Sequence, residues 1–519
     1  MSEPRLEHQP VKVQQLVADY ESGRIVIPEF QRDYVWKKSK APLLIDSLYK
    51  GFPISSMILW QGDEETRSRR KEDPRPAHTA QISWLIDGQQ RVIMLVRAWH
   101  GDGDIKVVFN PKEEEFRLEN AATRNDHRNW YYLAELWDDD LYFQLRKRLD
   151  DSGSAIDKKR EVCFEKVRRI RDYDVPLVRM VDHSFTNAVE AFKRINTLGV
   201  KLKKDDIESA LVASTHTGFI ADEVVPFLAN LKQQGFNRLN IMHLFRACGF
   251  VAADDGRDRT PLHKRGRNEV FTAWSKTKRA TDQAIGLIRS ELGLLNMDIL
   301  WSGAFLVPII ALCAKIEPRQ RDSKGLVGWL ALAALLHRYS GSSETRLDED
   351  LKACREADPI GALLKNLRDH RSSLVAEPSD FEGALADRSG LLALYIACMK
   401  RGILNFYSEE KVLLQNDVNR HHILPRAQFP DGSRAKADNV ANIAFILGDV
   451  NRTIGQRGPE VYLKDLKPEV LESQCIPADK KLWAIDHAAD FWVARRELLA
   501  ASFNDFLKDS LPERRLGFY

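Results

Sequence analysis

Between Asn419 and Ile454 the chain carries a run that leaves few ways to fold. It reads Asn419-Arg420-His421-His422-Ile423-Leu424-Pro425, then Asn439-Val440-Ala441-Asn442-Ile443, then Asn451-Arg452-Thr453-Ile454. The pattern predicts a short strand ending in the His pair, a second strand opened by Asn442, and a helix carrying Asn451. Strand, turn, strand and helix then converge two imidazoles and an amide oxygen on one small volume. At 519 residues the chain is too long for one ordinary core, so this element is one part of a two- or three-domain protein.

Composition narrows the class. Hydrophobic residues make up 44% and charged residues 29%, as in a globular protein. The net charge of +3 neither demands nor excludes a nucleic-acid partner, so any basic surface must be local. Cys163, Cys248, Cys313, Cys354, Cys398 and Cys475 lie far apart with no C-x-x-C pair. That argues against a zinc knuckle and a disulfide framework, and fits a reducing cytoplasm. Met1 to Gln9 is polar with no apolar signal core. The runs Ile299 to Ala314, interrupted by Pro308, and Leu326 to Leu336 are too short to span a bilayer and read as buried helices.

Residues 11 to 60 alternate short helical and extended patterns and end in a buried strand, Ile54 to Trp60. Gly62 to Ala77 is charged and Pro-containing and reads as a solvated loop. Ile82-Ser83-Trp84-Leu85-Ile86 leads into Asp87-Gly88-Gln89-Gln90-Arg91, and Val92 to Trp99 has helical spacing, which sets this motif at a strand-to-helix turn. Val175 to Met180 is extended and precedes a helix ending near Asn196. From 205 to 400 the pattern is helical, with turns at Gly235, Gly256, Pro261, Gly325 and Gly341, and the chain closes with an amphipathic stretch from Ala484 to Leu507. The expected fold is α+β and predominantly helical, with a mixed domain over 1–215, a helical middle over 216–400, and a hairpin-bearing domain over 401–519.

Hydrolysis of a phosphodiester needs a base for water, a cation to absorb charge on the phosphorane, and stabilisation of the departing oxygen. His422 is the expected base, because imidazole titrates near neutrality. His421 and Asn451 are the expected metal ligands, with a nitrogen and an oxygen suited to Mg2+ or Mn2+ that keeps several waters. Asn442 is expected to fix the hairpin by side-chain to backbone bonds. The competing reading is a partly buried strand end with no chemistry; Asn442 and Asn451, joined by Pro459 and Tyr462 downstream, favour the catalytic one.

A Gly after a strand, followed by polar residues opening a helix, exposes N–H groups at the positive end of the helix dipole, where an anion can bind. Asp87 can hold a metal or activate water there, Gln90 can donate or accept, and Arg91 can pair with a phosphate. The alternative is an Asp capping a helix and an Arg in an ion pair. There is no P-loop. Arg257 to Arg279 is a local basic run with Phe271 and Trp274 interleaved, suited either to phosphate neutralisation or to a solvated helix surface. Lys158 to Arg171 reads as an amphipathic helix with Val162, Phe164, Val167 and Ile170 on its apolar face. Arg338-Tyr339-Ser340 has packing as its default role.

His-His-Ile-Leu-Pro, Asn-Ile-Ala-Phe-Ile-Leu, Asn-Arg-Thr-Ile and Pro-Glu-Val-Tyr-Leu, over residues 405 to 465, resemble the HNH domain of GmrSD-type restriction enzymes, a ββα-metal fold. Ile27 to Trp36, Asp87 to Arg91 and Phe192 to Gly199, over residues 10 to 215, resemble the N-terminal domain of the same enzymes, which is similar in fold to the ParB and sulfiredoxin group. The resemblance implies nucleotide binding and NTP hydrolysis in a pocket lined by Gln31, Arg32, Asp87, Gly88, Gln90 and Arg91, with Asn196 near its rim. It implies an NTP-regulated, metal-dependent endonuclease acting on double-stranded, modified DNA in anti-phage defence. A homo-oligomer or a partner protein of the defence system also fits, and no membrane is involved. The alternative is a regulator that binds nucleotide and holds DNA or a partner without cutting.

Overall fold

In the computed structural model of the chain, the apolar run ahead of Asp87 is a strand buried on both faces. The structure describes residues 3–29, 31, 36–61, 82–101, 103–126, 128–151, 157–198, 204–253, 258, 260–369, 371–383, 389–412, 418–430, 434–455, 457–512 and 515. They fall into two compact units, Met1–Val225 and Pro226–Tyr519.

The first unit is built on a five-stranded mixed sheet. Its strands are β1 (Arg5–His8), β2 (Ile25–Val26), β3 (Met57–Gln61), β4 (Ser83–Asp87) and β5 (Leu177–Val181), in the order β1-β5-β3-β4-β2. β5 runs parallel to β3 and β2 parallel to β4, whereas the β1–β5 and β3–β4 pairs are antiparallel. Alternation along β4 sends Leu85 into a core with Met57, Leu59 and Leu177, closed by Leu16, Leu44 and Leu95 from the helices Val13–Glu21, Lys40–Tyr49 and Gln89–His100. Trp84 pairs across the strands with Trp60, whose ring meets Phe185 at 5.3 Å. Phe185 opens the Phe185–Leu198 helix, which packs against β4. Cover on both sides explains why Ser83 to Ile86 is continuously buried rather than alternating. A smaller antiparallel sheet joins Glu115–Leu118, Val107–Asn110 and Tyr131–Tyr132 in that order.

The Lys158–Arg168 helix, capped by Asp157, buries Phe164 and Val167, and Ile170 follows in a 3-10 turn. Val162, expected on the same face, is instead 60% exposed. It stands two residues before Phe164, about 200° round the helix, so it faces away from the buried stripe, which Cys163 joins instead.

In the second unit the Leu306–Lys315 and Ser323–Leu335 helices are apolar nearly all round and correspondingly buried. Among the described residues no helix is long and apolar enough to cross a membrane. Gly325, expected at a turn, lies in the first turn of the Ser323–Leu335 helix, where its N–H meets the Asp322 carboxylate at 2.8 Å. Arg338 and Tyr339 both donate to Asp350, which is fully buried and also receives the Asn366 amide. Arg265, part of the basic run, is likewise turned inward: it pairs with Asp258 and Glu269 and donates to the carbonyls of Thr260 and Ala252. Arg257 and Arg259 lie outside the described residues. The six cysteines are all free and buried.

The hairpin strands β6 (Val418–His422) and β7 (Ile443–Leu447) pair antiparallel and lead into the Gly448–Ile454 helix. Tyr395, on the Ser389–Lys400 helix, packs its ring on Phe445 of β7 at 5.6 Å. That helix lies against the long Ala488–Ser510 helix, where Ser502 donates to the Ala397 carbonyl at 2.7 Å. Middle helices and hairpin thus belong to one packed unit.

Candidate active site

The hairpin register places His421 opposite Ala444 and His422 opposite Ile443. Successive strand residues point to opposite faces, so the two imidazoles diverge instead of converging with Asn451 on one volume as the run Asn419 to Ile454 predicts. Asn442 closes the turn behind them and is fully buried. Its amide donates to the Leu424 carbonyl at 3.0 Å and the Ala437 carbonyl at 2.9 Å, and its oxygen accepts from the Leu424 N–H at 2.9 Å. Arg495, also fully buried, donates to the carbonyls of Ala441, Ile443 and Gln474 and so grips the chain on both sides of Asn442.

His421 faces inward, against the edge of the Phe406 ring. Its Nδ1 lies 2.9 Å from Asn451 Oδ1, and its Nε2 lies 3.2 Å from the Tyr462 hydroxyl. Tyr462 in turn donates to the Ile423 carbonyl at 2.7 Å. Burial pushes the His421 pKa down to about 4, against a smaller upward pull from Asn451, so the ring is neutral at physiological pH. Burial also raises the Tyr462 phenol well above its ordinary value, so it keeps its proton. Asn451 reaches this point because Val450 and Ile454 anchor the other side of its helix in the core.

His422 lies on the solvent side, with 29% of its side chain exposed. Its Nε2 meets Asp438 Oδ1 at 3.0 Å, and Arg426 lies 3.4 Å from the other oxygen of that carboxylate. With Asp438 accepting an Nε2–H, the neutral ring carries its lone pair on Nδ1. Arg420, Arg426, Arg434, Lys436, Arg452 and Arg457 are exposed along the same segment. Asp438 escaped the sequence reading, since it sits in a loop with no periodic pattern. The only signal is its position next to Asn439, whose side chain caps the turn before β7. Among the described residues no three His, Cys, Asp or Glu side chains gather as a metal cage.

In the first unit, Gln31, Asp87, Gly88, Gln90 and Arg91 come together at the carboxyl end of β4. Gly88 takes φ 103°, a left-handed conformation, and a Cβ there would stand 2.8 Å from Met57 Cγ. Gln31 is buried and donates to the carbonyls of Leu85 at 2.9 Å and Ile86 at 2.6 Å. Gln90 accepts the Trp36 N–H at 3.0 Å. Arg91 pairs with Asp87 at 2.9 Å and donates to the carbonyls of Ile54, Ser55 and Ser56. Burial lowers its pKa, partly offset by Asp87. Asp87 keeps a third of its side chain exposed. Arg32 and Tyr34 lie outside the described residues, as does the side chain of Asn196, whose backbone belongs to the Phe185–Leu198 helix. Glu29 was also missed: fully buried, it accepts the N–H groups of Gly218 at 2.8 Å and Ala221 at 3.2 Å. It holds the start of the π-helical turn Phe219–Val224.

Residues 13–213 match the family model of the GmrSD restriction endonuclease, N-terminal domain. The match likens this span to part of a restriction endonuclease family. The matched span takes in Glu29, Gln31 and the whole Asp87 to Arg91 turn. The chain is also similar to an uncharacterized protein of Methanocaldococcus jannaschii, 20% identical over 89% of this chain and 87% of that one.

Proposed function

We propose that this chain is a metal-dependent DNA endonuclease of the HNH type, regulated by a nucleoside triphosphate, that cuts modified DNA in the cytoplasm as part of anti-phage defence. The observation that carries the nuclease reading is the hairpin: His422 oriented by Asp438 on one face, and His421 beside Asn451 on the other. Two neighbouring ligands of an octahedral ion with ~2.1 Å bonds lie about 3 Å apart. The 2.9 Å between His421 Nδ1 and Asn451 Oδ1 suits that separation, so these two residues would hold Mg2+ or Mn2+, with water and phosphate oxygens completing its shell. Such an ion, when bound, supplies charge neutralisation at the scissile phosphate. His422 Nδ1 takes the proton of the attacking water, while Asp438 holds the opposite nitrogen and stabilises the imidazolium that forms. Asn442 acts through the backbone it ties down. The exposed arginines and lysines of the segment hold the sugar-phosphate chain, which makes binding salt-dependent.

In the first unit the nucleotide lies at the β4-to-helix turn, where the dipole of the Gln89–His100 helix favours phosphate. Asp87, one-third exposed, is the group available to a metal or to water. The commitment of Arg91 to Asp87 and three carbonyls favours a second reading of this unit, nucleotide binding that regulates without hydrolysis.

The test uses the purified full chain on unmodified plasmid and on modified phage DNA, in Mg2+ or Mn2+, with and without each NTP. Metal-dependent cutting that falls by roughly 100-fold or more in His422→Ala, with DNA affinity retained, is the expected result. Equal cutting by the variant would sink the reading.

A further inference from the structure

Leu424 and Phe429 anchor the chain on either side of Arg426. Leu424 is fully buried and tied through both its N–H and its carbonyl to the Asn442 side chain. Phe429 is buried and stacks its ring on Trp492 at 6.0 Å and 10°. Between them Pro425 leads into a 3-10 turn, Arg426–Gln428, so the backbone of Arg426 rests on a packed support at both ends. Its side chain is 57% exposed and meets Asp438 Oδ2 at 3.4 Å. The other oxygen of that carboxylate meets His422 Nε2 at 3.0 Å. One carboxylate thus gathers the base and a guanidinium. An ion pair this exposed is weak and readily exchanged, which leaves the N–H donors of the guanidinium open to a ligand. Arg457, by contrast, donates to the carbonyls of Thr453 and Ile454, and Arg420 to that of Asp298.

We infer that Arg426 is a catalytic residue whose guanidinium binds a non-bridging oxygen of the scissile phosphate and stabilises the charge that collects there in the transition state. The inference rests on the nuclease reading given above, with His422 as the base. In that step the oxygen of water bonds to phosphorus while its proton passes to His422. One ester oxygen departs with the electron pair of its P–O bond and takes a proton from solvent. Negative charge rises on the non-bridging oxygens as the phosphorane forms. His421 meets Asn451 on the other face of β6, whereas Arg426 is the cation tied to the same carboxylate as His422. Its planar fork can meet a phosphate with two parallel N–H groups, which the single ammonium of a lysine cannot.

Cleavage of the same plasmid and modified phage DNA by the full chain at saturating DNA, with DNA affinity measured separately in EDTA, tests it. The proteins are wild type, Arg426→Ala, Arg426→Lys, Asp438→Asn and the Arg426→Ala, Asp438→Asn double variant. The rate at saturating DNA should fall about 100- to 1,000-fold in Arg426→Ala, the range for one lost transition-state donor, and by a larger factor than DNA affinity falls. Arg426→Lys should recover part of the loss, added guanidinium ion should restore part of the rate to Arg426→Ala, and the double variant should be slower than Asp438→Asn alone. Arg426→Ala that matches wild type at saturating DNA overturns the inference and leaves the nuclease reading standing. So does an Arg426→Ala effect that vanishes in the Asp438→Asn background, because Arg426 would then act only through Asp438 and His422. Where that background leaves no measurable rate, absence of guanidinium rescue overturns it equally. Wild type that cuts neither DNA under any condition overturns the inference together with the nuclease reading.

Discussion

Asn442→Ala should open the hairpin without touching either histidine. The side chain makes three bonds of 2.9 to 3.0 Å to backbone groups of Leu424 and Ala437, and water does not reach it. Truncation leaves one N–H and two carbonyls buried and unsatisfied. Each such group costs about 1–3 kcal/mol, and local relaxation recovers part of it, so a loss of roughly 3–5 kcal/mol is expected for the hairpin. At about 1.4 kcal/mol per tenfold, that is roughly a 100- to several-thousand-fold rise in the local opening equilibrium. Hydrogen exchange by mass spectrometry, read on peptides covering 418–447 in the full chain, measures it. Asn442→Asp is the control. It retains an acceptor for the Leu424 N–H but turns an anionic oxygen toward two carbonyls, so it should lose as much at neutral pH. Exchange in 418–447 within about threefold of wild type in Asn442→Ala would refute the reasoning, because the bonds could not then be what closes the turn.

Other outcomes follow from the same geometry. Gly88→Ala forces a Cβ into φ 103° and against Met57, so thermal unfolding of the first unit should shift down by the equivalent of about 2–4 kcal/mol, and an unchanged transition would contradict the close packing. Arg91→Met should loosen residues 54–56 in hydrogen exchange before it alters nucleotide affinity; the reverse order would assign Arg91 to the nucleotide. The folded-state pKa of His421, about 4, lies below the ~6.5 of an unfolded chain, so the unfolded state binds the proton more readily. Stability from this group is complete above about pH 6.5 and is lost as pH falls toward 4, by roughly 3 kcal/mol at most. Urea midpoints in EDTA from pH 7 to 4.5 should show the slope, and His421→Asn should flatten it. Replacing Arg434 and Lys436 with Ser should reduce the slope of log Kd for DNA against log salt by about one to two; an unaltered slope would place the phosphates elsewhere.

Much of this molecule is written locally. The run Ile82 to Arg91 specifies a strand, a glycine turn and a helix, and the structure has β4 ending at Asp87 and the helix beginning at Gln89. The run Asn419 to Ile454 also predicts the β6–β7 hairpin, but not that strand alternation sends His421 and His422 to opposite faces, where the run alone has both imidazoles converging. The apolar stretches near 306–315 and 323–335 can only be interior helices. Gly325 shows the limit of such punctuation, because an aspartate three residues earlier turned a breaker into a first-turn residue.

What the tertiary structure alone decided is the pairing of polar groups. Arg265 belongs to a basic run, yet it turns inward to Asp258 and Glu269. Glu29 finds its partners at Gly218 and Ala221, and Tyr462 finds His421 across 41 residues of chain. Asp438 meets His422 from an unpatterned loop. Periodicity records which face of an element is buried, because burial repeats with the helix or strand. A buried donor or carboxylate is satisfied once, by whichever group the fold brings within about 3 Å, and no repeat in the sequence announces that neighbour.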